Sequence, residues 1–323
     1  MTRSDDLWEL GRRCLGQLEI PNPQYAYVGG SVGRGEADDY SDIDITVCVD
    51  HSDACEEVTL TYEGEFVQVE FAAPIAPTAV RQRPLDHRFL LESRGLYDPR
   101  GQFRTALTEV RNCLTSVSGR TRMFRQWHDL VQRRLQWTSQ GFSSGFTYDA
   151  TVAAGAAWAD AAFMAMFFDT GSLSTDRLIP WIKAHGDWLP AIVDLSPWLR
   201  VSDSDVPSML RTVEQFRGFV RTHAETRAGF VVSQLQDTLM GNKARRLLLG
   251  GEVPSLAWQL AGEAFWIYLT SSHGVPLDTY LAGLPRDLTR DLEKVGMVAL
   301  DACSVRELCR IADDMRRGIP TPA

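Results

Sequence analysis

Residues 27–47 read YVGGSVGRGEADDYSDIDITV and hold the strongest structural signal in the chain. A glycine-rich turn precedes a short apolar strand that carries two aspartates, Asp42 and Asp44. Carboxylates on a half-buried strand are costly unless a cation neutralises them. The stretch therefore predicts a site for a metal, a base or phosphate chemistry at this strand.

Strand periodicity places these acids on a common face. Side chains alternate across a strand, so Asp42 and Asp44 point away from the apolar Ile43 and Ile45. The later segment VTLTYEGEFVQVEF predicts a hairpin that turns near Glu63–Gly64.

In the hairpin's second strand, Glu70 lies on the face opposite to the one that carries the apolar side chains. If the two segments are neighbours that share one apolar core, three carboxylates converge on one polar surface. Such oxygen ligands suit Mg²⁺.

The turn itself predicts an anion-binding site. Its glycines, Gly30 among them, allow close approach to the backbone. Ser31 is predicted to begin a helix, where free N–H groups and the helix dipole favour anions, and Arg34 adds a positive charge. The turn lacks the lysine of a Walker loop, so it belongs to another class of phosphate site.

The remaining pattern up to about residue 115 predicts a small mixed sheet with a few helices. DDLWELGRRCLGQL has helical periodicity and is predicted to end before Pro21 and Pro23. YAYVGG predicts a short strand, RFLLESR a helix, and GLYDPRGQF a strand that stops at Pro99.

Beyond that point the strand signals almost vanish. Successive apolar segments at helical spacing, separated by Gly or Pro, predict a bundle of helices. The fold class is therefore α+β: a small mixed-sheet domain at residues 1–115, followed by an all-α helical bundle at residues 116–323.

Composition limits the partners and the location. The chain has 323 residues and a net charge of −9, which argues against nucleic acid and favours a neutral or cationic partner. The six cysteines have no metal-ligand spacing, which indicates reduced thiols in a cytoplasmic protein. The longest apolar stretch, residues 153–168, is interrupted by Asp160 and is shorter than the ~20 residues that cross a membrane.

GGSVGRGEADDYSDIDITV resembles the glycine-serine turn and D-x-D motif of the polymerase-β-like nucleotidyltransferase superfamily, especially its minimal and antibiotic-modifying branches. VQVEF, with Glu70, is similar to the strand that supplies that family's third carboxylate. GLYDPRG resembles the strand that ends its catalytic domain. The resemblance covers about the first 115 residues and implies that residues 1–115 form the catalytic nucleotidyltransferase domain. It also implies that the helical domain at residues 116–323 binds the acceptor.

The resemblance implies Mg²⁺-dependent transfer of a nucleoside monophosphate to a hydroxyl of a small molecule, such as an aminoglycoside-like antibiotic. AMP from ATP is favoured over other nucleotides. Asp42, Asp44 and Glu70 would hold two Mg²⁺ ions. Glu70 would complete one metal site and could also receive the proton of the acceptor hydroxyl. Gly30, Ser31 and Arg34 would bind the nucleotide.

Two other functions remain open for the same motif. One is nucleotidyl transfer to a protein or RNA, as in toxin-antitoxin enzymes, and the other is a nucleotide-binding sensor without catalysis. GGSVG also satisfies the G-x-S-x-G of α/β-hydrolases, but that fold needs several strands before its serine and a sheet after it.

Several residues outside the motif are weaker candidates. Lys183 is a candidate to reach the triphosphate from the helical part, although a lone lysine is usually a solvated charge. Asp160 and Glu263 would either bind ammonium groups of an acceptor or form helix-to-helix ion pairs, and the pairs are favoured. The arginines near residues 111–134 favour a solvated face or ion pairs over an RNA site.

Overall fold

The structure, a computed structural model, describes residues 2–50, 57–223 and 230–319. The chain groups into two units. The first comprises the residues up to Gln126 together with Ser233–Lys243, and the second comprises Trp127–Val232 and the residues from Ala244 onwards. The domain boundary between residues 115 and 116 stays a prediction.

The first unit is built on a mixed sheet of five strands, which confirms the predicted architecture. The strands are β1 (Tyr25–Val28), β2 (Ile43–Cys48), β3 (Val58–Tyr62), β4 (Glu65–Ala72) and β5 (Arg94–Tyr97). Their order across the sheet is β3-β4-β2-β1-β5. Strand β2 runs parallel to β4, whereas β1 is antiparallel to both β2 and β5.

Strands β3 and β4 form the predicted hairpin. They pair with Tyr62 opposite Glu65, so Glu63 and Gly64 make a two-residue turn. Both turn residues have positive φ, at 49° and 88°. Turns of this kind match the twist of the flanking strands, which is why a short glycine-containing loop favours a hairpin.

One face of the sheet is covered by α1 (Arg3–Leu15). Leu7 and Leu10 of the helix are buried in one core with apolar side chains of β1, β2, β4 and β5. The helix ends at Gly16, before the prolines that were predicted to stop it, because glycine is itself a poor helix former.

Four further helical elements lie between and after the strands in residues 29–115. They are α2 (Gly30–Arg34), α3 (Pro77–Gln82), a 3₁₀ helix (Pro84–Glu92) and α4 (Gln102–Thr115). The predicted helix RFLLESR is thus the end of a 3₁₀ helix that leads into β5. Helix α4 packs on the second face of the sheet, where the rings of Phe103 and Tyr27 stack at 5.3 Å between centroids.

The described residues after α4 are largely helical, as predicted. The helices are α5 (Val117–Ser143), α6 (Thr147–Thr170), α7 (Thr175–Ala184), α8 (Trp188–Leu195), α9 (Val206–His223), α10 (Gln234–Leu249), α11 (Val253–Ser271), α12 (Leu277–Ala282), α13 (Arg286–Leu292) and α14 (Ala302–Gly318). Helix α6 packs against α14, and α11 packs against α9. Helices α9 and α14 present one apolar face to these contacts, whereas α6 and α11 are apolar around most of their circumference.

Helix α6 is longer than the apolar stretch identified in the sequence. Within the described ranges it is the one helix long and apolar enough to cross a membrane by length and composition. Half of its apolar window is buried inside the protein, a property that core helices share. Its Asp160 carboxylate also pairs with Arg134 of α5 at 3.2 Å.

Candidate active site

Parallel pairing of β2 and β4 brings the predicted acids to one face of the sheet. Asp44 lies opposite Gln68, and Thr46 lies opposite Glu70. The alternate residues of both strands are buried in the core with α1. Asp42 immediately precedes β2, in phase with Asp44.

The two aspartates are close enough to repel each other. The negative charge of Asp42, followed by burial, raises the pKa of the Asp44 carboxyl to about 8, while Lys243 and Arg34 oppose that change. The Gln68 side chain donates a hydrogen bond from Nε2 to Asp42 Oδ2 at 2.9 Å. A pair of mutually repelling carboxylates is a favourable place for a divalent cation.

Glu70 lies farther along the same face and is exposed. Its Oε1 accepts a hydrogen bond of 2.7 Å from Thr46 Oγ1. Among residues 2–50, 57–223 and 230–319, no three His, Cys, Asp or Glu side chains are grouped closely enough to hold a metal ion. The metal-ligand and base roles of Glu70 therefore stay predictions.

The glycine turn is fitted closely around Asp44. Gly30 has a φ of +58°, and a Cβ at this position would lie 2.3 Å from Asp44 Oδ2. The backbone N–H of Gly29 donates to the Asp44 carbonyl at 2.9 Å. Helix α2 begins at Gly30, so Ser31 lies in its first turn, one residue after the start of the helix. The turn and the D-x-D strand are thus one structural unit.

Arg34 already has acidic partners. Its guanidinium donates to Glu36 at 2.9 Å and to Glu92 at 3.2 Å. A phosphate bound by Arg34 would have to share the guanidinium with these carboxylates. The nucleotide-binding roles of Gly30, Ser31 and Arg34 stay predictions.

A segment remote in sequence contributes two polar residues to this unit. Gln236 of α10 donates from Nε2 to Gln68 Oε1 at 3.4 Å, and the charge of Lys243 acts on Asp44. Both belong to the stretch Ser233–Lys243 that folds with the first unit. Neither was predicted from the sequence, because no local pattern marks their proximity to β2 and β4.

Lys183, the lysine chosen from the sequence, belongs to the second unit. It is exposed in the last turn of α7. Its proposed contact with a triphosphate stays a prediction.

The other two candidate acids form the ion pairs that the sequence favoured. Asp160 pairs with Arg134, and the Glu263 carboxylate accepts from the buried Arg217 at 2.5 Å. Both pairs join neighbouring helices of the second unit.

The cysteines of the described residues are free thiols, with Cys14, Cys48 and Cys113 buried. Burial raises the pKa of all three thiols. Cys55 lies outside the described residues.

The geometry agrees with a comparison against known protein families. Residues 12–81 match a family model described as a nucleotidyltransferase domain. The matched stretch includes the glycine turn, Asp42, Asp44 and Glu70. Over these residues the chain is similar to nucleotidyltransferase domains of the polymerase-β-like superfamily, which confirms the resemblance seen in the sequence.

Comparison with solved structures shows only weak structural similarity. A nucleotidyltransferase-like protein from Exiguobacterium sibiricum 255-15 aligns with 80% of this chain and 80% of its own, at 14% sequence identity and a TM-score of 0.34. An overlay at this level carries no argument about the site or the acceptor. No match was found among curated proteins.

Proposed function

We propose that the protein is an Mg²⁺-dependent nucleotidyltransferase that moves AMP from ATP, in preference to another nucleotide, to a hydroxyl of a small molecule. One observation carries the proposal. Asp42 and Asp44 face the same way beside the Gly30 turn, inside the stretch that matches a nucleotidyltransferase domain. A carboxylate pair next to a glycine-rich turn suits metal-assisted phosphoryl chemistry.

The donor set fits a divalent cation. Asp42 and Asp44 supply hard oxygen ligands, and their mutual repulsion would be relieved by positive charge. Bound Mg²⁺ would neutralise the triphosphate and make its α-phosphorus more susceptible to attack. The family implies two ions, with Glu70 completing one site.

The remaining groups would orient the reactants. Ser31 and the amides of its turn are proposed to bind the outer phosphates, and Lys243 is proposed to add positive charge beside Asp44. Thr46 occupies one oxygen of Glu70. The other oxygen is proposed to accept the proton of the attacking hydroxyl, as a general base.

The acceptor is proposed to be a cationic, aminoglycoside-like compound, which would give the enzyme a role in antibiotic resistance in the cytoplasm. The net charge of −9 supports attraction of a cation. Asp160 and Glu263 are already neutralised by arginines, so acceptor recognition would depend on other carboxylates.

Pyrophosphate release tests the reaction. The purified protein is incubated with Mg²⁺, each of the four common nucleoside triphosphates and a panel of hydroxylated antibiotics. We expect release with ATP and at least one acceptor, and a fall of about 100-fold or more in Asp42→Asn and Asp44→Asn. The matched control is Asp39→Asn, since the Asp39 side chain is 93% exposed.

The same assay distinguishes the other functions. Transfer of label from ATP to a protein or RNA, and not to a small molecule, would replace the proposed acceptor while keeping the chemistry. Nucleotide binding that depends on Asp42 without any pyrophosphate release would favour a sensor and contradict the proposed enzyme.

A further inference from the structure

Gln68 connects the D-x-D strand to a helix that is remote in the sequence. It lies on β4 directly opposite Asp44, on the face that also carries Glu70. Its side chain reaches across to Asp42 and donates a hydrogen bond of 2.9 Å. On its other side it accepts from Gln236 of α10 at 3.4 Å.

The direction of these two bonds follows from their chemistry. An ionised carboxylate only accepts hydrogen bonds, so the amide of Gln68 must present its NH₂ group to Asp42. Its carbonyl oxygen then faces Gln236, which must in turn present its own NH₂ group. Asp42 therefore fixes the orientation of both amides.

Both glutamines in this chain of hydrogen bonds are at least partly shielded from solvent. Gln236 is 6% exposed, and Gln68 is half-buried. Partly buried side-chain hydrogen bonds are stronger than exposed ones and fix the positions of their partners better. The bond between the two glutamines is the longer and hence the weaker link.

We propose that Gln68 is a positioning residue that holds the Asp42 carboxylate in place as a ligand for a divalent cation, and that Gln236 holds Gln68. The proposal rests on the proposed function, because it assumes that Asp42 binds the metal. By occupying Oδ2, Gln68 restricts rotation of the carboxylate and leaves Oδ1 to the cation. Groups that hold a metal ligand in this way typically change metal affinity by about 10- to 100-fold.

Direct binding of Mn²⁺ to the full-length protein, followed by water proton relaxation, tests the proposal without requiring turnover. We expect Gln68→Met, which keeps the length of the side chain and loses the donor, to weaken Mn²⁺ binding by about 10-fold or more. Gln236→Met should weaken it by a smaller factor. In the double variant, Gln236→Met should add nothing, because its effect passes through Gln68.

A matched control and a second substitution keep the result interpretable. Gln17→Met removes another glutamine hydrogen bond of the same unit, to Tyr62 at 2.8 Å, and should leave Mn²⁺ binding unchanged. Gln68→Asn keeps the amide but is one methylene too short, so it should weaken binding as Gln68→Met does. It replaces Gln68→Met if that variant does not fold.

The outcomes separate the proposal from the function on which it rests. Unchanged Mn²⁺ binding in the Gln68 variants, with loss in Asp42→Asn, would overturn the positioning role and leave the metal site intact. Additive losses in the double variant would overturn the role of Gln236. Equal Mn²⁺ binding in the unaltered protein and Asp42→Asn would contradict the metal site itself.

Discussion

Gly30 is the turn residue that contacts the Asp44 carboxylate. Its backbone is in the left-handed region, at φ +58°, which favours glycine. An added Cβ would also lie only 2.3 Å from Asp44 Oδ2. A side chain here would both strain the backbone and displace the carboxylate. Because Asp44 lies on the strand that pairs with this turn, that displacement would move a proposed metal ligand.

Gly30→Ala should therefore lose activity out of proportion to its loss of stability. We expect a stability cost of about 1–2 kcal/mol from the left-handed conformation and a fall of about 100-fold in pyrophosphate release. The control is Gly35→Ala, which has a φ of +78° but nothing within 4 Å of the added Cβ. It should show the stability cost with little loss of activity, and equal activity losses in both variants would contradict the role of the Asp44 contact.

At this scale the sequence predicted what depends on local periodicity. The common face of Asp44 and Glu70 follows from alternation along two strands, and the structure shows it. The hydrogen bonds of Gln68 and Thr46 were not predictable in the same way, because they depend on the register between the strands. Register is set by packing of the whole sheet and not by the residues of either strand alone.

Helices α6 and α12 stabilise each other's first turns. Asp278 accepts from the backbone N–H groups of Tyr148 and Asp149 at 3.2 and 3.1 Å. In return, Asp149 accepts from the N–H of Leu277 at 3.1 Å. The exchange satisfies amides that have no partner within their own helices.

This pair should make stability depend on pH. Burial, and then the charge of Asp278, raise the pKa of Asp149 above its ordinary 3.8. The stability from protonated Asp149 is therefore fully present below pH 3.8 and is lost as the pH rises through the folded-state pKa. Asp149→Asn keeps an acceptor and removes the charge, so we expect a higher Tm than the unaltered protein at neutral pH, with the difference disappearing in acid.

Asp301→Asn is the control with the opposite sign. Asp301 caps α14, and hydrogen bonds from Ser304 and Cys303 lower its pKa. Its contribution is present above the ordinary value and is lost in acid. Thermal unfolding from acid to neutral pH should therefore show a lower Tm for this variant at neutral pH only. A lower neutral Tm for Asp149→Asn would contradict the assignment.

A buried ion pair joins α9 to α11. Arg217 is fully buried and donates to Glu263 at 2.5 Å and to the Val231 carbonyl at 2.8 Å. Removing the arginine leaves a largely buried carboxylate without its cation. Arg217→Met should lower the free energy of unfolding by about 3–5 kcal/mol, and the further change Glu263→Met should recover part of that loss.

Denaturant unfolding measures this pair, with Arg211→Met as the control. Arg211 is an exposed arginine of the same helix, so its loss should change the stability by less than about 0.5 kcal/mol. If the double variant were less stable than Arg217→Met alone, Glu263 would contribute independently of the arginine.

Elements were predictable where periodicity and turn chemistry are strong. The hairpin follows from its alternating residues and the Glu63–Gly64 turn, whereas the end of α1 at Gly16 and the 3₁₀ geometry of Pro84–Glu92 were not predicted. Short helical segments differ by small energies that packing decides. Helix ends are therefore less predictable than helices.

At the scale of the whole molecule, the chain returns to its first unit late in the sequence. Residues Ser233–Lys243, which include the start of α10, fold with the sheet, and the helix continues into residues that belong to the second unit. A domain boundary drawn from composition cannot anticipate such a return, because the helical pattern of α10 resembles that of its neighbours. As a consequence, the sequence pointed to Lys183 as the lysine that binds the nucleotide, whereas the structure shows that the charge of Lys243 acts on Asp44.

Substitution of the two lysines distinguishes these predictions. Because the charge of Lys243 acts to lower the pKa of Asp44, Lys243 lies near a proposed metal ligand. We therefore expect Lys243→Ala to raise the KM for the nucleotide by about 10-fold. Arg245→Ala removes a charge from an exposed position on the same helix and should leave KM unchanged. Lys183→Ala tests the prediction from sequence in the same assay. Removal of a cation that binds phosphate weakens the binding of the nucleotide. An unchanged KM in Lys243→Ala would therefore contradict a role in nucleotide binding and leave Lys243 acting on the carboxylates alone.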